Sequence, residues 1–215
     1  MGGMIITYYG VEFVKLQFGD VVVGMNPISK ESKHKSGRFA SDVALISLNH
    51  KDFSGAENLS FGDKKPFVVN GPGEYEINGI TIGGFPSKSL YEGKERINTV
   101  YVVSLEEMRI CHLGALSDEE LASSVTEHLE DVDVLFVSIG GPDLLTPAQA
   151  YKICIDIGPK IVIPMSFGDD KEKNLKAFLK EAGSEEIKPI EKLTLKKKDL
   201  EGKDGEIVVL SPVIS

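Results

Sequence analysis

Ser47-Leu48-Asn49-His50-Lys51-Asp52-Phe53-Ser54-Gly55 closes an apolar run that begins at Val43, and the reading of this junction decides the fold. Val43 to Leu48 has the length and aliphatic composition of a buried strand. It gives way to a loop that carries an imidazole, His50, and a carboxylate, Asp52, ahead of Gly55. Both side chains are of the types that bind zinc-class ions.

Toward the amino terminus, Met4 to Tyr9, Glu12 to Phe18 and Val21 to Met25 alternate or run apolar. Gly10 and Gly19-Asp20 separate them, which predicts a strand meander. The polar stretch Ser29 to Gly37 predicts a loop. Downstream, strands are expected at Phe67 to Val69, Tyr75 to Ile77 and Ile80 to Ile82, with Asn78-Gly79 as a hairpin turn. Strand runs at Val100 to Ser104 and Arg109 to Leu113 lead into alternating helices and strands. Ser117 followed by Glu120 reads as a capping box opening a helix to Leu129. Strand Val134 to Ile139, helix Thr146 to Ile157, strand Ile161 to Met165 and helix Asp170 to Ala182 follow. Closing strands are expected near Leu193 to Lys196 and Ile207 to Leu210. Strands first and β-α units afterwards predict an α/β protein of two packed sheets flanked by helices. Gly71-Pro72-Gly73 and Gly140-Gly141-Pro142 read as turns, neither with the spacing of a phosphate-binding loop, and Gly83-Gly84 reads as a turn or bulge.

With 215 residues and 41% apolar content the chain can bury a core. No compositional break marks a boundary, so one domain over 1–215 is expected. The formal charge of -9 argues against nucleic acid as a partner. The basic clusters at Lys30, Lys33, Lys35 and Arg38, and at Lys196 to Lys198, read as solvated loops. No apolar run approaches the roughly 20 residues of a membrane span, and the amino terminus lacks a basic-then-apolar signal. Cys111 and Cys154 lie in apolar stretches and read as buried thiols. A cytoplasmic protein with no membrane partner is the expectation.

The junction at Ser47 to Gly55 resembles the Thr-His-x-His-x-Asp-His-x-Gly signature of the metallo-β-lactamase superfamily. Arg109 to Leu116 resembles "I-x-H-L-G-D-L", with His112 kept and Ala115 in place of the aspartate. Asp133 to Gly141 resembles "D-V-L-L-I-P-V-G-G", and Ile163 to Phe167 resembles "I-P-M-H-Y" with Ser166 for histidine. Tyr8 to Phe13 resembles "G-H-x-x-F" with Val11 for histidine, and Gly24 to Pro27 the "D-P" turn with Asn26 for aspartate. Pro72 to Ile77 and Gly93 to Thr99 complete the match. The resemblance runs from about Met4 to Phe167 and is nearest the small Zn-dependent hydrolases similar to L-ascorbate-6-phosphate lactonase. It implies a four-layer αββα sandwich of two mixed sheets flanked by helices.

In that superfamily these loops together hold two zinc-type ions. Carried across residue by residue, the resemblance puts His50 and His112 on the first ion and Asp52 on the second. Leu48, Phe53, Val11 and Ser166 replace imidazoles, and Ala115 and Asn26 replace acids. The chain has four histidines in all. His34, in a charged loop, and His128, late in an expected helix, read as surface residues. The metal candidates are therefore His50, Asp52 and His112, and no catalytic residue is identified. The anions vanish together with the imidazoles, which avoids stranding buried negative charge. Asp52 is expected to pair with His50, His112 or Lys51.

Ser47, Ser138 and Ser166 show no His and Asp partners at a spacing that suggests a serine hydrolase. The leading expectation is a fold relative of hydrolases without hydrolytic activity and without a cofactor. It would act by binding or scaffolding, as a homo-oligomer or beside an active relative. The alternative is a hydrolase of a small ester, lactone or phosphorylated metabolite, with one zinc or manganese ion on His50, Asp52 and His112.

Overall fold

A computed structural model describes residues 2–141, 143–166, 171–184 and 186–213. The strands in chain order are β1 (Met4–Tyr8), β2 (Val14–Phe18), β3 (Val21–Met25), β4 (Val43–Leu45), β5 (Phe67–Val69), β6 (Gly73–Ile77) and β7 (Ile80–Ser89). They continue with β8 (Arg96–Leu105), β9 (Met108–His112), β10 (Val134–Ser138), β11 (Ile161–Met165), β12 (Lys192–Leu195) and β13 (Glu206–Ile207). The first sheet runs β12-β1-β2-β3-β4-β5 and the second β13-β11-β10-β9-β8-β7-β6. Both are mixed: the meander β1-β2-β3 is antiparallel whereas β3-β4-β5 is parallel. In the second sheet, β6 to β9 are antiparallel and β9, β10, β11 and β13 parallel.

The period-two pattern of β1 turns Met4, Ile6 and Tyr8 toward the second sheet. They meet Ile82, Tyr101, Val103, Ile110, Phe136 and Ile163 in a core shared by both sheets. The central strands β10 and β11 are buried on both faces, which explains their unbroken apolar sequence. Their outer faces carry α1 (Ser123–Thr126), α2 (Pro147–Ile157) and α3 (Lys171–Glu181), through Val125, Ile153, Cys154 and Phe178. The outer face of the first sheet is covered by Phe13, Ile28, Ala44 and Leu59, with Tyr9 and Phe39 packed against them. On that side the helical cover is one 3-10 turn, Ala56–Leu59. Among the described residues no helix is long and apolar enough to cross a membrane.

Asn78 (φ 52°) and Gly79 (φ 77°) form the expected hairpin turn, with Ile77 opposite Ile80. Gly83-Gly84, expected as a turn or bulge, instead lies in continuous register inside the ten-residue β7, opposite Val102 and Tyr101. A Cβ on Gly84 would meet the Gly71 carbonyl oxygen at 3.0 Å, so glycine here serves close approach. The expected helix from Ser117 shrinks to the single turn α1. The Ser117 hydroxyl accepts from the Leu90 amide (2.8 Å) and donates to the Asp143 carbonyl (2.5 Å), so it ties loops together and caps nothing. A reciprocal cap does open α2: Thr146 accepts from the Gln149 amide, and the Gln149 side chain accepts from the Thr146 amide. Asp170, the expected start of the next helix, lies outside the described residues, as do Pro142 and Phe167.

Asp133, fully buried before β10, accepts from Lys160 (2.6 Å), Lys197 (2.8 Å) and the Arg109 amide (2.9 Å). Burial alone would raise its carboxyl, but the two lysines and the amide outweigh it and hold the group below the usual range. The lysines are partly exposed, which tempers the gain. Asp133→Asn is expected to lower stability by about 2 kcal/mol at pH 7. Because the folded carboxyl is the stronger acid, urea denaturation should show that difference fading as pH falls below the unfolded value of 3.8.

Candidate functional site

The residues of the resembling motifs gather at the ends of β1, β3, β4, β9, β10 and β11 and in the loops that follow them. Val11 (φ 52°), Asn26 (φ 50°) and Ser166 (φ 49°) all adopt the left-handed backbone there. For a β-branched valine this is costly, and such strain gathers at functional sites. It is held in place: the Val11 carbonyl accepts from the Tyr8 hydroxyl and from the Ser166 amide, each at 2.9 Å. These are three of the positions where the resembling motifs carry metal ligands.

Those side chains do not leave a void. Leu48, Phe53, Tyr91, Ala115 and Leu144 form one buried apolar cluster, with Val11 packed against it. Phe53 and Ala115 are wholly inaccessible, and Phe53 meets Tyr91 edge-on with ring centroids 4.9 Å apart. Gly114 (φ 65°) permits this closure, because a Cβ there would sit 2.4 Å from the Asn98 Oδ1.

Beneath the cluster lies a buried polar network. Glu12, fully buried, accepts from the Asn26 amide group (3.1 Å) and from the Ser138 hydroxyl. Asn26 in turn accepts from the Ser47 amide at 2.8 Å. The bonds to the Glu12 carboxylate thus come from neutral groups. Burial pushes its carboxyl up to about 7, against the pull of the Ser138 and Asn26 bonds.

His112, 1% exposed, has both ring nitrogens engaged by backbone. Nδ1 accepts from the Gly114 amide (3.0 Å), so Nε2 carries the proton and donates to the Glu12 carbonyl (3.1 Å). Burial brings the ring down to about 4, with the Glu12 contact opposing, and the imidazole is neutral at neutral pH.

His50 and Asp52 do come together. Asp52 is inaccessible; its carboxylate accepts from the Ser32 hydroxyl (2.5 Å) and the Tyr91 hydroxyl (2.8 Å). The His50 Nδ1 and the His34 Nε2 stand 3.7 and 3.8 Å from Asp52 Oδ2. Burial would raise this carboxyl, but the two hydroxyls and the two imidazoles bring it below its ordinary value. The His50 Nε2 faces Glu92 Oε2 at 3.3 Å. One ligand atom from each of His50, Asp52 and Glu92 lies within 4.8 Å of the others, and His112 is not part of this group.

The structure therefore unites two of the three expected residues and adds Glu92. It also turns His34, expected at the surface, toward Asp52. The expected pairing of Asp52 holds for His50, while the ring nitrogens of His112 bond to backbone groups. His128 is exposed and stacks on Phe85. Glu12, Tyr91 and Ser32 were not legible as site residues: Tyr91 and Ser32 lie outside the quoted motifs, and Glu12 lies inside one at a position that carries no ligand.

A family model described as "Beta-lactamase superfamily domain" matches residues 5–166. A UPF0173 protein of Pyrococcus furiosus is 37% identical over 73 residues, which is 34% of this chain and 33% of that protein. Among solved structures, a candidate Zn-dependent hydrolase of the metallo-β-lactamase superfamily from Thermotoga maritima aligns at TM-score 0.75 and 24% identity. That alignment covers 96% of this chain and 98% of the other. Igni18, a metallo hydrolase of Ignicoccus hospitalis, aligns at TM-score 0.61 and 17% identity, over 90% of this chain and 98% of its own. At such identities the structural likeness establishes the fold alone.

Proposed function

We propose that this chain, which belongs to the beta-lactamase superfamily by its match over residues 5–166, works by binding and not by metal-dependent hydrolysis. The packed cluster of Leu48, Phe53, Tyr91, Ala115 and Leu144 carries the reading. A pair of divalent ions requires several electron-pair donors converging on two points about 3.5 to 4 Å apart. Four of the positions that would supply them, Leu48, Phe53, Val11 and Ala115, hold hydrocarbon, and His112 has spent both nitrogens on backbone. The residues present do not fit a two-ion centre. Glu12 instead joins the start of β2 to the ends of β3 and β10 through hydrogen bonds.

The corresponding role is binding or scaffolding, with a second copy of the chain or an active relative as partner, and light scattering on the chain alone and mixed tests this. The activity side is tested by a panel of esters, lactones and phosphodiesters with zinc or manganese supplied. No turnover above the uncatalysed rate is expected. Turnover that disappears in His50→Ala would overturn the proposal.

A second reading is favoured by the proximity of His50, Asp52 and Glu92. These three offer the donor types for a single ion, which would lower the pKa of a bound water for attack on a small ester, lactone or phosphorylated metabolite. The same panel decides between the two.

A further inference from the structure

The structure assigns a self-association surface to the free edge of β5, where a second copy of this chain adds its own β5 antiparallel and continues the first sheet across a twofold axis. The inference rests on the binding role proposed above and names its surface. β5 ends the first sheet, with β4 on one side and no strand on the other. Its edge is apolar. Phe61, Phe67 and Val68 are 77%, 52% and 43% exposed, and among the described residues no other eight-residue stretch gathers three large apolar side chains so open to solvent. Phe61 is held out by a tight turn, its amide and carbonyl each bonded to Lys64 at 3.1 Å. Clustered exposure of this kind marks an interaction surface, whereas single exposed apolar residues do not.

The main chain of β5 specifies how the second copy docks. The Phe67 amide donates to the Asp42 carbonyl (2.8 Å) and the Val69 carbonyl accepts from the Ile46 amide (2.9 Å), so these two residues turn their polar groups toward β4. Alternation along the extended strand turns the Val68 amide and carbonyl outward, flanked by the Pro66 carbonyl and the Asn70 amide. An antiparallel strand centred on Val68 matches this set. The two Val68 residues exchange both bonds, and each Asn70 amide donates to the Pro66 carbonyl of the other copy. Proline lacks the donor that would return a bond to Asn70, which leaves one gap on each side of the axis. An edge that is its own complement under a twofold is what a closed, isologous dimer needs.

Charge selects the same orientation. The chain carries a formal charge of -9, so two copies repel unless opposite charges meet at the contact. At the start of β5, Lys64 is taken by Asp42 at 2.7 Å. Lys65 and, on β6, Glu74 are both exposed, and among the described residues neither has an ion-pair partner. The register centred on Val68 sets Lys65 level with Gly71 of the second copy, three residues before its Glu74, on both sides of the axis. It thus brings each Lys65 ammonium toward a carboxylate. A parallel pairing would set Lys65 beside Lys65. Lysine and proline at the start of the strand also discourage open-ended addition, in favour of a closed pair.

Sedimentation equilibrium on the full chain, from about 1 to 200 µM, should show a monomer-dimer equilibrium with a dissociation constant of about 20 µM or tighter. Val68→Pro removes an amide that no hydrogen bond among the described residues uses, and it should weaken the dimer about tenfold or more with little change in thermal melting. Lys65→Glu should weaken the dimer at low salt, and adding Glu74→Lys should restore it. Hydrogen exchange at the Val68 and Asn70 amides should slow as concentration rises. A chain still monomeric at about 200 µM would overturn the proposal and leave the edge to a strand of another protein or to none. A dimer indifferent to Val68→Pro, with both amides exchanging at the monomer rate, would overturn it as well, since its contact lies elsewhere. Should Val68→Pro fail to fold, the Lys65 and Glu74 exchange and the amide protection decide. None of these readouts involves turnover, whereas the proposed loss of hydrolysis fails only on turnover.

Discussion

At pH 8 the Glu12→Gln protein is expected to be more stable than the unsubstituted chain by about 3 kcal/mol, with the advantage vanishing below pH 4.5. Glu12 is raised in the folded state from 4.5 to about 7, because burial penalises its charge more than Ser138 and Asn26 favour it. A carboxyl raised in this direction contributes stability that is fully present below the unfolded value. That stability is lost as pH climbs through about 7. Glutamine keeps the shape and never ionises: its Oε1 accepts from the Asn26 amide group while the Ser138 hydroxyl turns to accept from its Nε2. His112 acts in the opposite sense: its folded value is near 4 against 6.5, so its contribution is present above 6.5 and lost as pH falls toward 4. Between pH 4.5 and 6.5 the two slopes oppose each other. The unsubstituted protein should therefore change little in that window, while Glu12→Gln exposes the His112 slope alone. Chemical denaturation across pH 4 to 8 measures both. A Glu12→Gln protein less stable at pH 8 would mean that a cation faces Glu12, against the neutral network.

Phe53→Ala should cost about 3 to 4 kcal/mol, the loss typical of a fully buried aromatic side chain. The ring contributes apolar burial and its edge-on contact with Tyr91, whose hydroxyl in turn holds Asp52. Truncation would open a cavity beside Leu48, Ala115 and Leu144 that the strained loops around Val11 and Asn26 cannot collapse to fill. Phe53→His should also destabilise, because it places an imidazole among apolar neighbours. Added zinc should not recover that loss. A Phe53→Ala penalty under about 1 kcal/mol would show that the cleft is not packed around this ring.

The strands were readable because their chemistry is local. Val21 to Met25, Phe67 to Val69 and Ile161 to Met165 begin and end where the apolar runs do. Asn78-Gly79 encodes its turn through the positive φ that these residues tolerate. Ser117 misled because a serine hydroxyl serves a cap or a distant loop equally well, and Leu90 and Asp143 claim it from 27 and 26 residues away. Gly83-Gly84 misled because glycine that admits a neighbouring backbone looks, in sequence, like glycine that makes a turn.

The site divides along the same line. His50 and Asp52 were legible because one short loop carries both. Glu92 and His34 reach them only through the fold, 40 and 18 residues from Asp52 along the chain. His112 matched a ligand motif, yet the use of its two nitrogens depends on the Gly114 amide and the Glu12 carbonyl, which no spacing rule exposes. Glu12 lies one residue past Val11, and only its burial reveals it.

The most direct measurement is the number and position of metal ions in crystals of the zinc-saturated protein, by elemental analysis with anomalous scattering. The account predicts no more than one ion per chain, at the cleft mouth and not beside His112. Two ions about 3.5 to 4 Å apart in the space now filled by Leu48, Phe53 and Ala115 would contradict it.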